Sequence, residues 1–199
     1  MIALVFAGRL DGENNLAVMG LAWNAVKILI TSACMGLNIT QYSLTSWTFG
    51  AGDYYQCGLY LNRGFLILTC FFIGLSIVPA FLGETIFFAI CKDADVSQRA
   101  QTMLRLLLPH IYLNCVNGLW KTWLACQRVT FVPMVSSLVG TFLLVPIIYC
   151  CVYILGFGLN GIPLSLFIQS TIVLSTTVIY SFCKPEVRKC LQPFNRDAF

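Results

Sequence analysis

Five runs of about twenty or more mostly apolar residues, separated by short polar breaks, govern what this chain can fold into. They lie near Ala17 to Thr48, Gly64 to Phe88, Thr102 to Cys126, Phe131 to Leu155 and Gly161 to Phe182. A helix needs roughly 20 such residues to cross a hydrocarbon layer about 30 Å thick, where the backbone must satisfy its own hydrogen bonds. The expected fold class is an all-α integral membrane protein, a bundle of five full transmembrane helices. Only 10% of residues are charged and the mean hydropathy is +0.82. That leaves too little polar surface to cover a soluble core.

Ahead of the first run, Met1 to Leu10 is apolar apart from Arg9. About ten residues rise only about 15 Å as a helix, so this segment reads as the tail of a preceding span whose beginning is missing. No basic residues precede it, as a signal peptide would require. Residues 1–185 are expected to form one transmembrane lobe and residues 186–199 a cytoplasmic tail. Orientation follows from lysine and arginine in short loops, which are retained on the inner side during insertion. With the C-terminus cytoplasmic, the inner set is Arg63, Lys121, Arg128, Lys184, Arg188, Lys189 and Arg196, against Arg9, Lys92, Arg99 and Arg105 outside. Asp11, Glu13, Asp93 and Asp95 also fall outside. The net charge of +4 is thus a topology signal, and no nucleic-acid partner is expected.

The ten cysteines are scattered through apolar runs with no CxxC pair, and there is one histidine, so no metal site is expected. Most read as small packing residues. Cys183 and Cys190, beside the last span, are candidates for acylation. A HExxH helix, a GxSxG elbow and a GxxxxGK[ST] phosphate loop are all missing, so no catalytic residues are assigned and the chain is not expected to be an enzyme.

Polar side chains inside a span are costly, about 2.5 to 3.5 kcal/mol for a mid-helix lysine, and tend to face a cavity or another helix. In the first run Asn24, Lys27, Thr31, Cys34, Asn38, Gln41, Thr45 and Thr48 recur at steps of three and four, which predicts one wet stripe. In the third, His110, Asn114, Asn117 and Lys121 have the same spacing. We read Asn24, Lys27, Thr31, Asn38, Gln41, Thr45, His110, Asn114, Asn117 and Lys121 as cavity lining. The competing reading is interhelical hydrogen bonding. Pro109 is expected to kink the third span, while Pro133, Pro146, Pro163 and Gly161 allow bending and close approach in the last two. Gly36, Gly50 and Gly52 are further packing or turn positions. The carboxylates lie in loops, in the tail or, for Glu84, near the outer end of the second span.

The order of several short motifs resembles the multidrug and toxic compound extrusion (MATE) family. These are Phe6-Ala7-Gly8-Arg9-Leu10 with Leu16-Ala17-Val18-Met19-Gly20-Leu21, then Met35-Gly36-Leu37, Gly50-Ala51-Gly52 and Gly58-Leu59-Tyr60-Leu61-Asn62-Arg63-Gly64. Leu104-Arg105-Leu106-Leu107-Leu108-Pro109, Leu124-Ala125-Cys126-Gln127 with Pro133, and Gly158-Leu159-Asn160-Gly161 come next in order. Trp47-Thr48 stands where the family favours Gln-Ala, and Ala125 replaces a glutamine while Gln127 keeps the next. The resemblance implies the first of two six-helix lobes around a central cavity, lacking most of its first helix. It further implies cation-coupled antiport of organic cations or other xenobiotics, driven by H+ or Na+ and with no cofactor. The carboxylates that hold such an ion lie, by the resemblance, in the first helix or the second lobe. The expected partners are the bilayer, a small organic substrate, and a second lobe or a full-length relative. The alternative is a non-transporting truncated membrane protein or a regulatory partner of full-length transporters. Plasma, vacuolar and other organelle membranes are all open.

Overall fold

The computed structural model describes residues 2–9 and 15–191. Asp11, Glu13 and most of the expected tail, Arg196 included, lie outside the described residues. Every regular element described is helical. A short α1 (Ile2–Arg9) precedes one long helix, Asn15–Gly50, made of α2 (Asn15–Val26), a π turn (Lys27–Thr31) and α3 (Ser32–Gly50). Next come α4 (Tyr54–Cys91), α5 (Ala94–Cys126) and α6 (Phe131–Tyr149), the last running into a second π turn at Cys150–Ile154. A 3-10 turn (Gly158–Asn160) leads to α7 (Gly161–Cys183) and a final turn of helix, α8 (Pro185–Arg188).

Local chemistry sets the boundaries. Gly52, at φ 79°, turns the chain between α3 and α4, a conformation that costs glycine nothing. Asp53 caps α4 by accepting the Gln56 N–H at 3.1 Å, and Asp93 caps α5 by accepting the Asp95 N–H at 3.0 Å. Both caps supply an acceptor where the helix leaves donors unpaired.

Among the described residues, four helical stretches are long and apolar enough to span a membrane: Asn15–Gly50, Tyr54–Cys91, Phe131–Ile154 and Gly158–Cys183. The run expected from Thr102 to Cys126 does form a helix of 33 residues, α5, but it is less apolar than the others. Its place in the bundle explains this. It packs against α2, α3, α4 and α7, and buries Met103, Leu104, Leu107, Leu119, Trp123 and Leu124 among them. A helix screened by its neighbours can carry polar residues that a lipid-facing one cannot. The outer helices show the converse, with Phe81 of α4 77% exposed and Phe142 of α6 78% exposed. So many exposed aromatic and aliphatic side chains suit acyl chains and not water.

Just past the last span, Val187 and Cys190 are buried against the bundle.

Candidate functional site

The expected stripe on the first span divides at the π turn. An i→i+5 turn accommodates one extra residue and rotates the residues beyond it by about 100° relative to an uninterrupted α-helix. Thr31 Oγ1 and Ser32 Oγ each donate to the carbonyl five residues back, Val26 at 3.5 Å and Lys27 at 3.0 Å. Ala22, Val26, Ile30, Cys34, Asn38, Gln41, Thr45 and Thr48 therefore form the buried face, and Asn24 and Lys27 are exposed. Thr31 sits between, half-buried.

The buried half of the stripe presses on glycines. A Cβ on Gly64 of α4 would lie 2.7 Å from Gln41 Oε1, and one on Gly118 of α5 would lie 2.9 Å from Asn38 Nδ2. The same device recurs where Gln101 of α5 fills the space beside Gly83 of α4 and donates to the Ala80 carbonyl at 2.5 Å. Gly64, Gly83 and Gly118 thus admit an amide between helices. The sequence alone does not assign these contacts; its readable sign is a glycine within an apolar helix, whose partner only the tertiary structure supplies. Asn38 Oδ1, both amide atoms of Gln41, Thr45 Oγ1 and Asn117 Oδ1 are buried with no hydrogen-bond partner among the described residues. Cys34 and Cys115 are both buried in the core between α3 and α5.

The stripe on α5 also separates. His110 is buried, its Nδ1 3.0 Å from the Leu166 carbonyl and 2.7 Å from Ser170 Oγ on α7, with its ring stacked on Trp23 at 6.1 Å. Asn117 is buried and Asn114 exposed, while half-buried Lys121 donates from Nζ to Ser137 Oγ of α6 at 2.7 Å. Of the ten candidates, Asn38, Gln41, Thr45, His110 and Asn117 thus point into the bundle. Asn24, Lys27 and Asn114 are exposed, and Thr31 and Lys121 lie at the margin.

The bend and packing positions likewise divide. Pro109 and Pro146 lie inside helices, whereas Pro133 and Pro163 occupy first turns, where the missing N–H costs little. The second π turn begins four residues after Pro146. Gly161 approaches backbone closely, since a Cβ there would lie 2.9 Å from the Cys151 carbonyl oxygen. Gly36 and Gly50 have nothing within 4 Å of an added Cβ, so neither marks a helix contact. Cys183 is exposed and Cys190 buried, which removes Cys190 from the acylation candidates, because an acyl transferase must reach the thiol.

This fold defines a multi-pass integral membrane protein with polar side chains at membrane depth. The chain belongs to the MATE family of multidrug and toxic compound extrusion transporters: the MatE family model matches residues 1–152. Protein DETOXIFICATION 49 of Arabidopsis thaliana is 27% identical over 199 residues, covering 100% of this chain and 39% of the relative. Multidrug and toxin extrusion protein 1 of Danio rerio is 26% identical over 162 residues, covering 80% of this chain and 27% of the relative. The chain therefore spans well under half the length of these relatives. Its fold is similar to that of the eukaryotic MATE transporter AtDTX14, at TM-score 0.93 and 19% identity, over 100% of this chain and 44% of that one. It also resembles an inward-facing multidrug resistance MATE family transporter of the MOP superfamily, at TM-score 0.83 and 17% identity, over 99% and 45%.

Proposed function

We propose that this chain forms the first lobe of a secondary active transporter that exchanges H+ or Na+ for organic cations or other xenobiotics. The observation that carries the reading is the exposure of Lys27 and Asn114 at membrane depth. Lys27 lies about 8 Å from the middle of the 36-residue Asn15–Gly50 helix, and Asn114 about 6 Å from the middle of α5. An exposed ammonium at that depth costs several kcal/mol against lipid and is stable facing water or cargo. Names such as multidrug and toxin extrusion protein, carried by relatives, support xenobiotics as the cargo class. Among the described residues Glu84 is the one carboxylate within a span, near the end of α4, so the coupling ion is assigned to carboxylates elsewhere in the transporter. The end of the bundle where α3 meets α4 carries Arg128, Lys184 and Lys189, and we assign it to the cytoplasm.

The test is labelling of Asn24→Cys, Lys27→Cys and Asn114→Cys with a membrane-impermeant maleimide, measured above the parent chain's own cysteines. Reaction at these three and none at Phe81→Cys is expected. Sealed thiols in both the presence and the absence of an ion gradient would remove the aqueous path. A parallel assay of fluorescent-cation efflux should show loss of export in Lys27→Leu.

A further inference from the structure

We infer that the water-facing side of this lobe carries a subsite for the acidic group of an aromatic cargo, a carboxylate held by Lys27 and Asn114 beside the ring of Trp23. The site rests on the transport reading above and narrows its cargo to molecules with such a group. Three contacts fix how the first long helix lies on α5. Trp23 stacks on His110 with ring centroids 6.1 Å apart and planes at 21°, Asn38 fills the space beside Gly118, and Cys126 Sγ donates to the Tyr42 carbonyl at 3.4 Å. The partners follow in the same order on both helices, so the two run side by side in one direction.

Lys27 comes four residues after Trp23, and Asn114 four residues after His110. Side chains at that spacing share a helix face, one turn apart. The ammonium and the amide therefore lie one turn beyond the stacked rings, on the faces those rings occupy, and both residues are exposed. His110 is buried with its Nδ1 engaged by Leu166 and Ser170, so it backs the ring of Trp23. Trp23 is only half-buried and keeps part of its surface uncovered. Lys121, about 10 Å beyond Asn114 along the same face of α5, adds a second cation, held by Ser137 at 2.7 Å.

The sign of the charge on this face is uniform. α2, the π turn after it, α3, α6 and α7 contain no carboxylate. The acid of α5, Asp95, lies in its first turn, 3.1 Å from Arg99 and about 28 Å before Asn114. α4 contributes Glu84, and Lys27 forms no ion pair with it or with any other acid among the described residues. A lone ammonium at membrane depth costs several kcal/mol against lipid. An anion beside it lowers that cost, and the low dielectric strengthens the pair. A charge-assisted bond from Lys27, a second donor in the Asn114 amide and a ring against Trp23 together fit a carboxylate on an aromatic body. The cationic part of a cargo that has one finds no acid on this face and is left to other parts of the transporter.

The test compares two rhodamine dyes that differ in one group, a free carboxylate and its methyl ester. Each is titrated into the purified protein in mild detergent at low ionic strength and followed by fluorescence anisotropy. The free acid is expected to bind about tenfold tighter. That preference should vanish in Lys27→Gln, shrink in Asn114→Leu, and persist in Lys27→Arg and in Lys189→Gln, an exposed lysine outside the site. A ratio of affinities does not move when a variant merely lowers the amount of folded protein. Should Lys27→Gln not fold, Lys27→Cys gives a second route, with the parent chain treated alike. Aminoethyl methanethiosulfonate returns a positive charge there and should restore the preference, whereas the neutral methyl reagent should not. Equal binding of the two dyes by the parent overturns the site, and is the result expected if a carboxylate of the protein already pairs with Lys27. A preference that survives Lys27→Gln overturns it too. Thiols that react in the labelling experiment above while the dyes bind alike would leave the aqueous path standing and remove this site alone; sealed thiols would remove both.

Discussion

His110 Nδ1 lies 2.7 Å from Ser170 Oγ and 3.0 Å from the carbonyl oxygen of Leu166, so one buried ring joins α5 to α7. A carbonyl only accepts, which places the proton on Nδ1 in this arrangement. His110→Phe keeps the ring volume and stacking on Trp23 but strands a buried serine. We expect a loss of about 1 to 3 kcal/mol in detergent thermal unfolding, with Ser170→Ala costing less because the Leu166 contact survives.

Gly161 faces the backbone of the second π turn across 2.9 Å, measured from the position of an added Cβ to the Cys151 carbonyl oxygen. A backbone carbonyl cannot swing aside as the end of a side chain can. Gly161→Ala should cost about 1 to 3 kcal/mol. Gly36→Ala, with open space around it, should be neutral or slightly stabilising, since alanine favours helix. Comparing the two melting temperatures checks both statements.

Asn38 and Gln41 each bury a polar atom that has no partner. Replacing such a group by an apolar one of similar shape removes a desolvation cost. Asn38→Leu and Gln41→Met should therefore unfold no lower than the parent, and up to about 1 kcal/mol of added stability is expected. If these amides serve transport, fluorescent-cation efflux falls in the same variants. Lower stability with unchanged efflux would mark them as packing groups.

Cys183 and Cys190 should differ sharply towards alkylating reagents. Cys183 is exposed, whereas Cys190 is 1% exposed and burial pushes its thiol pKa up, despite a hydrogen bond from Cys57 that acts the other way. A raised pKa means less thiolate at any given pH, so Cys190, buried as well, should label far more slowly than the exposed Cys183 and should speed up only in more alkaline solution. Peptide mapping after iodoacetamide treatment reads the difference. If Cys190 reacts as fast as Cys183, the segment after α7 is not docked.

Much of the bundle is legible in the residues alone, because length and apolarity decide whether a helix can span. The runs from Phe131 and from Gly161 end within a residue or so of the observed helices. The second apolar run begins at Gly64, although α4 begins at Tyr54, because Gln56, Asn62 and Arg63 interrupt its apolarity at a headgroup level without breaking the helix. Side-chain phase is less legible. Steps of three and four assume an unbroken α-helix, and the π turn at Lys27–Thr31 separates Lys27 from Asn38 by its extra residue. No residue in that turn announces it. On α5 the helix lies where its apolar run does, yet its spacing does not say which neighbour each side chain meets. His110 meets α7 and Lys121 reaches α6, contacts set by tertiary packing alone.

The modest apolarity of α5 bears on how the molecule is made. A segment with Arg99, Gln101, Arg105, His110, Asn114, Asn117 and Lys121 gains little from partitioning alone into acyl chains. Its retention during synthesis must come from helices emerging before it, α2, α3 and α4, and from α7, which emerges after. Biogenesis of this lobe is accordingly a cooperative event in which the most central helix is the last to become secure, and lesions in α7 should surface first as α5 slipping out of the membrane.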